Sequence, residues 1–497
     1  MTEISPRDEH NNALLSLVRP EGWVNPTPPR RYNLVAVGGG TAGLVSAAGT
    51  AILGGRSALI ERNLLGGDCL VTGCVPSKAL IRGARAASDV ARANEWGIRV
   101  AGAEIDFGAV MERVRELRAA IGHHDSAKRF SDLGVDVYFG DARFSGRDRV
   151  EVAGQTLRFT RGVVATGARA TIPPIPGLVE AGYLTHENVF NLTTRPAHLL
   201  IIGGGPIGVE LAQSFARLGS RVTIVEMMPQ FLGHEDPDAV NVLRASLERD
   251  GIEIRLATQV ERVDATRVTL KSVAGTETVD ADTILVGAGR APNVEGLGLE
   301  TAGVQFTKHG VTVDDRLRTS NKRIYAAGDV ALRLKFTHTA EAAARIVLQN
   351  ALFSGRAKLS ALTVPWCTYT SPEIAHVGLY EKEARERGIA VDTFRVDFAD
   401  LDRAIVDGQT EGFVKLHVKR GSDKIVGGTI VAEHAGEMIS EITLAIVAGV
   451  GLGTLSNVIH PYPTQAEAIR KAADAWKRTR LTPTVAGLLR RWLALRR

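Results

Sequence analysis

A strand–turn–helix pattern with the same three glycine positions occurs twice in this 497-residue chain. The apolar segments Tyr32–Val37 and His198–Ile202 each lead into a glycine-rich turn, and a helix is predicted after each turn. The glycines permit a tight turn and close helix–strand packing, which leaves N–H groups at the helix start free to hold a pyrophosphate. The repeat therefore predicts two dinucleotide-binding βαβ units. Their cofactor-binding glycines are Gly38, Gly40 and Gly43 in the first unit, and Gly203, Gly205 and Gly208 in the second.

An acidic residue ends the second strand of each unit at the same distance from its turn. Glu61 lies 18 residues after Gly43, and Glu226 lies 18 residues after Gly208. This spacing fits a carboxylate that accepts a hydrogen bond from a ribose hydroxyl. A carboxylate at Glu226 also repels a 2′-phosphate, so the sequence favours NADH over NADPH.

Two of the three cysteines, Cys69 and Cys74, lie five residues apart with Gly73 between them. A helix would separate such residues by about 7.5 Å along its axis, whereas a disulfide needs Cα atoms about 5.5–6 Å apart. Gly73 supplies the freedom that an irregular turn would need. One interpretation is a redox dithiol beside a flavin, and the other is two unrelated thiols or half of a zinc site. Zinc needs further ligands that do not occur nearby, so we expect no resident metal.

Composition limits the class of protein. The chain is 44% apolar and 23% charged, and its length indicates about three domains. Three cysteines are too few for a disulfide-stapled secreted scaffold. The first residues are polar and do not resemble a signal peptide, and there is no apolar run of about 18 residues. We therefore expect a cytoplasmic protein.

Positive charge is concentrated at one end. The net charge is +5, yet residues 476–497 contain seven basic residues and no acidic one, so the remainder is near neutral. We expect no nucleic-acid partner from such a distribution. Within this tail, Thr482 and Pro483 predict a helix start. The helix would carry an apolar stripe formed by Val485, Leu488, Leu489, Trp492 and Leu493, with Arg490, Arg491, Arg496 and Arg497 around it.

The amphipathic tail has two interpretations. A basic amphipathic helix can lie on an anionic membrane as a peripheral contact. Alternatively, it docks on the protein's own body or on a second copy, and the sequence favours this second interpretation.

Beyond residue 362 the pattern changes. Segments 412–418 and 425–431 read as antiparallel strands, and 436–450 as a helix, without a glycine fingerprint. The fold class is therefore α/β, with two Rossmann-like dinucleotide-binding domains followed by a C-terminal α+β domain.

The chain resembles the flavin-dependent pyridine nucleotide–disulfide oxidoreductases, a family that includes mercuric reductase, dihydrolipoyl dehydrogenase and glutathione reductase. The resemblance spans residues 32–475. The motifs that carry it are Gly66-Gly-Asp-Cys69 with Cys74-Val-Pro-Ser-Lys78, Ala165-Thr-Gly167, the second glycine fingerprint, Gly287-Ala-Gly-Arg-Ala-Pro-Asn293, Ala326-Ala-Gly-Asp329, and His460-Pro-Tyr-Pro-Thr-Gln-Ala-Glu467.

The resemblance implies a domain division. It assigns residues 1–30 to an N-terminal extension, 31–180 and 295–360 to an FAD-binding domain, and 181–294 to an NAD(P)-binding domain. Residues 361–475 would form the dimerisation domain, and 476–497 the basic tail.

The same resemblance implies roles for single residues. The first fingerprint and Glu61 would hold FAD, and Asp329 would bind its ribityl side. Cofactor contacts and domain joints fall on Gly67, Thr166, Gly167, Gly289 and Arg290.

The resemblance also implies a reaction route. Cys74 would lie beside the isoalloxazine as the charge-transfer thiol, and Cys69 would be the interchange thiol in a Cys69–Cys74 redox disulfide. Lys78 and Glu210 would form a pair near the flavin. A homodimer would bring His460, Tyr462 and Glu467 to the partner subunit's redox pair.

One departure bears on the substrate. The general-base histidine of dihydrolipoyl dehydrogenase is replaced by Tyr462, and a phenol of pKa ~10 is a poor base at neutral pH. Mercuric reductase has a tyrosine at this position, and a soft metal bound by thiolates needs no proton shuttle. The paired cysteines that deliver mercury are missing from both ends of the printed sequence, however, and Cys367 is best interpreted as a packed free thiol.

The leading hypothesis is a mercuric-reductase-like NAD(P)H oxidoreductase whose acceptor is a small-molecule disulfide, a soft metal ion or a quinone. The first alternative is dihydrolipoyl dehydrogenase with His460 or water as the base. An alternative of another class is a redox-sensing or membrane-docked regulatory flavoprotein. Asp68 has two alternative roles that the sequence does not separate. Its carboxylate either lowers the thiolate fraction at Cys69 or contacts the pyrophosphate region of FAD.

Overall fold

The computed structural model describes residues 3–497 and divides into two compact units. The first comprises residues up to Phe231 together with Gly251–Leu362, and the second comprises Leu232–Asp250 together with Thr363–Arg497. The segment Leu232–Asp250 is thus grouped with the C-terminal part of the chain. The predicted domain boundaries stay predictions.

The first unit contains two sheets built around parallel strands, and one strand of each sheet leads into a glycine fingerprint. The larger runs in the order Val135–Phe139, Ser57–Glu61, Tyr32–Val37, Gln155–Val164, Arg149–Val152, Arg143–Gly146, with Ile324–Ala326 also paired to Gln155–Val164. Its last two strands are antiparallel additions. The second sheet runs Glu253–Arg255, Arg221–Val225, His198–Ile202, Thr283–Val286, all parallel.

Smaller sheets complete the first unit. They are the antiparallel set Gln259–Asp264, Arg267–Ser272, Gly275–Asp280, and the pairs Ala168–Ala170 with Arg290–Pro292 and Phe306–Thr307 with Gly310–Val311. The α-helices of this unit are Glu9–Val18, Thr41–Ile52, Gly67–Val71, Cys74–Ala91, Phe107–Gly122, Ala127–Asp132, Leu178–Ala181, Pro206–Arg217 and Thr337–Phe353.

The second unit is a five-stranded antiparallel sheet with helices packed on it. The strand order is Pro365–Thr368, Glu373–Gly378, Ile425–Ala432, Phe413–Lys419, Val391–Asp397. Its helices are Pro237–Arg249, Glu381–Glu386, Asp402–Val406, Ala435–Ala448, Leu452–Leu455, Glu467–Thr479 and Pro483–Ala494. The predicted fold class is confirmed: two Rossmann-like dinucleotide-binding domains, both in the first compact unit, are followed by an α+β domain.

The burial of the strands explains why these short apolar segments could be recognised as strands in the sequence. All five residues of Ser57–Glu61 and of His198–Ile202 are buried, so apolar side chains occupy both faces, as is typical of parallel sheets covered by helices. Apolar clusters on each side of the first sheet fix the strand ends, and with them the glycine turns.

The N-terminal extension packs on the first unit. Asp8 caps the helix Glu9–Val18 by accepting the Asn11 N–H at 2.9 Å, and Leu14 and Val18 are fully buried. The Val18 carbonyl accepts the Leu65 N–H, close to the cysteine motif. The extension is therefore part of the framework around that motif.

The tail forms the predicted helix Pro483–Ala494, with Thr482 as its N-cap. The expectation that it docks on the chain's own body is not met, because none of its side chains is buried. Among residues 3–497, no helix is both long and apolar enough to cross a lipid bilayer.

Candidate active site

The first glycine turn has the geometry of a nucleotide cradle. Gly38 has φ +113°, and a Cβ there would lie 2.2 Å from the Ala165 carbonyl oxygen. A Cβ on Gly43 would lie 1.8 Å from the Gly38 carbonyl oxygen. At Gly40, by contrast, the nearest atom to a Cβ would be 3.9 Å away, on Gly67. Two glycines are thus needed for packing, and the third leaves open space where a phosphate can approach the helix start.

The second glycine turn repeats this arrangement. A Cβ on Gly203 would lie 2.6 Å from the Gly287 carbonyl oxygen, and one on Gly208 would lie 2.3 Å from the Gly203 carbonyl oxygen. Gly205 has nothing within 4 Å. The helices that follow the two turns, Thr41–Ile52 and Pro206–Arg217, begin without a side-chain cap, within the described residues 3–497. Their first-turn N–H groups suit an anion.

The two acidic residues are held alike. Glu61 accepts the Gly39 and Asn63 N–H groups, each at 2.5 Å. Glu226 accepts those of Gly204 and Met228, at 2.7 and 2.8 Å. Each carboxylate is oriented beside its glycine turn, and each oxygen keeps a lone pair for a ribose hydroxyl. Burial raises the pKa of Glu61, an effect that the two N–H groups oppose.

The other residues predicted to contact a cofactor or to join the nucleotide-binding domains lie close together, near Thr166 and Asn293. Thr166 Oγ1 donates to the Asn293 carbonyl at 2.7 Å, and the Asn293 N–H donates to the Gly167 carbonyl at 3.0 Å. The strand that follows Gly289, Arg290–Pro292, pairs with Ala168–Ala170. Gly67, with φ +56°, lies against Gly40.

Arg290 joins two carboxylates. Its guanidinium pairs with Asp68 and, at 2.7 Å, with Asp329. Burial alone would raise the pKa of Asp68, but neighbouring His186 and Arg290 lower it. Asp68 is therefore an ionised partner of Arg290, a role that the sequence left open.

This region also fits a bound flavin. Among residues 3–497, Arg290 Nε is a buried polar atom without a hydrogen-bond partner, and so is His186 Nε2, which lies 3.8 Å from Asp68 Oδ2, beyond hydrogen-bond distance. Together with the open space at Gly40 and the oriented Glu61, they offer contacts that FAD would satisfy.

The two cysteines are free thiols in mutual contact. Cys69 lies in the short helix Gly67–Val71, and Cys74 is the first residue of Cys74–Ala91. A helix N-terminus stabilises a thiolate. The Cys69 thiol, the Thr337 hydroxyl and the Lys78 charge together lower the pKa of Cys74, against the opposing effect of burial. The hydrogen bond with Cys74, together with burial, raises the pKa of Cys69.

Lys78 and Glu210 form a pair across two helices. Lys78, one turn after Cys74, donates to Glu210 Oε2 on Pro206–Arg217 at 2.8 Å. The Glu210 side chain is 8% exposed. The pair connects the helix Cys74–Ala91 to the helix Pro206–Arg217, and it keeps a positive charge near Cys74.

Thr337 was missed by the sequence interpretation. Its hydroxyl lies 3.3 Å from Cys74 Sγ, although 263 residues separate the two in the chain. No local motif marks this threonine, because the contact depends on where the helix Thr337–Phe353 begins.

We expect Thr337→Val to raise the pKa of Cys74. A hydrogen bond to a charged group contributes about 1.5–3 kcal/mol, so the pKa should rise by roughly one pH unit or more. The check is a pH titration of the long-wavelength absorbance that a thiolate gives beside an oxidised flavin. Thr337→Ser, which keeps the hydroxyl, should behave as wild type, and an unchanged midpoint in Thr337→Val would contradict the role.

The short helix that carries Cys69, Gly67–Val71, is linked to the N-terminal extension through Arg118. Arg118 is 1% exposed and donates to the Val71 carbonyl at 2.8 Å and to Asn11 Oδ1 at 2.6 Å. Val71 ends the helix that carries Cys69, and the neighbouring Arg115 pairs with Asp8. The sequence interpretation missed this link because its members lie in three separate segments.

Arg118→Met should lower the free energy of unfolding by about 3 kcal/mol, since it removes the guanidinium donor from the Val71 carbonyl and from the Asn11 amide oxygen. Chemical denaturation of the flavin-bound protein measures this value. Arg113→Met, on the exposed side of the same helix, should change it by less than about 0.5 kcal/mol. Equal values for the two variants would show that the link carries no stability.

The three residues predicted to face the partner subunit have separate partners within the second unit. Tyr462 is 71% exposed and donates its hydroxyl hydrogen to Asp402 Oδ2 at 2.8 Å, which raises its pKa. Glu467 Oε1 accepts from Arg470 at 2.6 Å. His460 Nε2 lies 3.0 Å from Glu441 Oε1, and its side chain is 5% exposed. The structure thus does not join Glu467 to an imidazole.

Cys367 lies on the edge strand Pro365–Thr368 of the second unit. Its thiol lies 3.6 Å from the Thr368 carbonyl and 3.9 Å from Glu373 Oε2. It is half-buried, in keeping with a packed cysteine.

Comparison with known families agrees with this geometry. Residues 32–344 match the model of the pyridine nucleotide-disulphide oxidoreductases, and residues 364–473 match the dimerisation domain of the same family. The chain therefore belongs to the pyridine nucleotide-disulphide oxidoreductases, a family that uses FAD and NAD(P)H, and it is an enzyme of that class.

Two groups of curated relatives are similar over most of the chain. A mercuric reductase from Streptomyces lividans is 37% identical, covering 90% of this chain and 96% of its own. A dihydrolipoyl dehydrogenase from Thermus scotoductus is 35% identical, with coverages of 90% and 97%.

Among solved structures, the HOCl-induced flavoprotein disulfide reductase RclA from Escherichia coli is 30% identical, with a TM-score of 0.80. The match covers 89% of this chain and 99% of RclA. LpdA from Mycobacterium tuberculosis is 28% identical, with a TM-score of 0.81 and coverages of 90% and 99%.

Proposed function

We propose that this chain is an NADH-dependent flavoprotein reductase that passes electrons through a Cys69–Cys74 disulfide to a thiol-reactive acceptor, with a soft metal ion as the preferred class. The observation that carries this proposal is how Tyr462 and Glu467 are hydrogen-bonded, because Tyr462 occupies the position of the general-base histidine in dihydrolipoyl dehydrogenase. Tyr462 donates its hydroxyl hydrogen to Asp402, and Glu467 pairs with Arg470. Neither group is arranged to take a proton from a thiol at neutral pH.

Bound FAD would supply a ring that takes a hydride from reduced nicotinamide and passes an electron pair to a disulfide. Breaking the S–S bond with two electrons leaves one sulfur as a thiolate and places a proton on the other. The lowered pKa of Cys74 and the raised pKa of Cys69 support a thiolate at Cys74 and a proton on Cys69.

The proton on Cys69 distinguishes the acceptors. A disulfide acceptor needs a base to remove this proton before Cys69 attacks. A soft metal ion displaces the proton when sulfur coordinates it, so the site needs no imidazole. The similarity to mercuric reductases supports this assignment, as does the neighbour RclA, whose structure is described as a Cu(II) complex.

The nicotinamide preference rests on Glu226. Its carboxylate is fixed beside the second glycine turn by two backbone N–H groups. A 2′-phosphate would meet this negative charge, so we assign NADH as the substrate.

Three further assignments complete the proposal. We propose a homodimer with an active site shared between subunits, which the match to a dimerisation domain supports. The acceptor side would then include Tyr462 and Glu467 of the second subunit. We propose the cytoplasm as the compartment, because it keeps thiols reduced.

Dihydrolipoyl dehydrogenase is the second candidate, and one observation favours it. His460 Nε2 lies 3.0 Å from Glu441 Oε1, which is the arrangement of an imidazole oriented by a carboxylate. In this case His460 would accept the thiol proton in place of the missing histidine.

An acceptor panel separates the candidates. Turnover is measured anaerobically with NADH or NADPH against Hg(II), glutathione disulfide and a quinone, and dihydrolipoamide is tested with NAD⁺. We expect the highest kcat/KM with NADH and Hg(II), and a small effect of His460→Ala on that reaction. Dihydrolipoamide oxidation that survives Tyr462→Phe and is lost in His460→Ala would favour the second candidate. Turnover with none of these acceptors would favour a regulatory flavoprotein.

A further inference from the structure

The helix Pro483–Ala494 is a fully formed element without a buried side chain, and the contact on its apolar face is that of the following Arg496, which lies 4.6 Å from the centre of the Trp492 ring. Thr482 caps it by accepting the Val485 N–H at 3.3 Å, and Pro483 occupies its first turn. None of the side chains from Pro483 to Ala494 is buried. Leu488, Trp492 and Leu493 are each more than half exposed. The helix lies beyond the dimerisation match, which ends at residue 473.

Its apolar residues lie on one face. Positions 485, 488, 489, 492 and 493 follow the i, i+3, i+4, i+7, i+8 spacing of a single helical stripe. Arg490 and Arg491 fall on the two flanks of this stripe, and the small residues Gly487 and Ala494 lie opposite. Long arginine side chains on the flanks can extend away from an apolar layer into a polar one. The stripe also carries Trp492, a residue type common at membrane interfaces.

The positive charge of the tail indicates which kind of surface the apolar stripe binds. After Asp474 the printed sequence contains seven basic residues and no acidic one. A second copy of the helix would bring the same basic residues and no carboxylate to pair with them. An anionic lipid surface instead offers phosphate groups beside an apolar layer, which matches both parts of the helix. We propose that Pro483–Ala494 docks the enzyme on an anionic phospholipid surface as a peripheral contact.

The test uses the full-length flavin-bound enzyme and two kinds of vesicle, phosphatidylcholine alone and phosphatidylcholine mixed with phosphatidylglycerol. We expect at least about tenfold more protein to sediment with the anionic vesicles than with the neutral ones, and high salt should release it. The double variants Leu488→Ser with Trp492→Ser, and Arg490→Gln with Arg491→Gln, should each lose most of this binding.

Two controls keep the result specific. Val273→Ser removes an apolar side chain that is fully exposed elsewhere, and it should bind as wild type does. Turnover of all variants in solution should equal that of wild type, which shows that the fold is intact. Equal binding to both vesicles, no binding at all, or a tail variant that changes the oligomeric state while keeping vesicle binding would overturn the proposal. The last result would assign the helix to a second copy.

Discussion

Replacing Cys74 with serine is expected to lower NADH-driven reduction of Hg(II) and of glutathione disulfide by roughly a thousandfold or more. The reason is that, in the proposed function, this sulfur carries the thiolate, and Cys69, Thr337 and Lys78 lower its pKa. Serine cannot form an S–S bond or carry a thiolate, so electrons that reach the flavin would have no exit through sulfur. Steady-state assays with the best acceptor from the panel measure the loss.

Two comparisons make this result specific. Cys69→Ser should lose acceptor reduction to a similar extent, while reduction of the bound flavin by NADH stays within about twofold in both variants. Cys367→Ser is the matched control, since this thiol belongs to a sheet of the other unit. Full acceptor turnover in either Cys69→Ser or Cys74→Ser would remove the redox pair from the reaction.

The second large effect is expected from adding one methyl group to a glycine turn. In Gly43→Ala the new Cβ would lie 1.8 Å from the Gly38 carbonyl oxygen, so the backbone must move. Forcing extra atoms into a packed site costs about 1–3 kcal/mol, which corresponds to a loss of roughly ten- to a hundredfold or more in flavin affinity. The purified variant should be pale or colourless, and flavin content per chain measures this.

Gly208→Ala should affect the other nucleotide site alone. Its Cβ would lie 2.3 Å from the Gly203 carbonyl oxygen. The variant should keep its flavin and its reduction by dithionite, but its apparent affinity for NADH should fall by roughly ten- to a hundredfold. Gly487→Ala, where the Cβ would meet nothing within 4 Å, is the control. Loss of flavin in Gly208→Ala with normal flavin in Gly43→Ala would reverse the assignment of the two turns.

The sequence could predict the framework of the site because the framework is local. The strands Tyr32–Val37 and His198–Ile202 were predicted with the bounds that the structure has, and Glu61 and Glu226 were predicted to end the second strands, which are Ser57–Glu61 and Arg221–Val225. Each is a short apolar run that ends at a glycine turn or an acidic residue. The first fingerprint helix begins at Thr41, so the turn glycine Gly43 lies inside its first helical turn.

The chemistry of the site could be predicted only in part, because its decisive contacts join distant segments. The Thr337–Cys74 contact spans 263 residues, and the Arg290–Asp68 pair spans 222. The His460–Glu441 pair likewise depends on how one helix of the second unit packs. Such contacts follow from tertiary packing and leave no periodic pattern in the chain.

The count of free thiols before and after anaerobic reduction by NADH tests the central claim most directly. The air-oxidised, flavin-bound enzyme is labelled with a thiol reagent in the unfolded state, with and without prior NADH, and the labelled peptides are identified. We expect two additional thiols per chain after reduction, at Cys69 and Cys74, with Cys367 labelled equally in both samples. Flavin that is bleached by NADH while no new thiol appears would contradict the account.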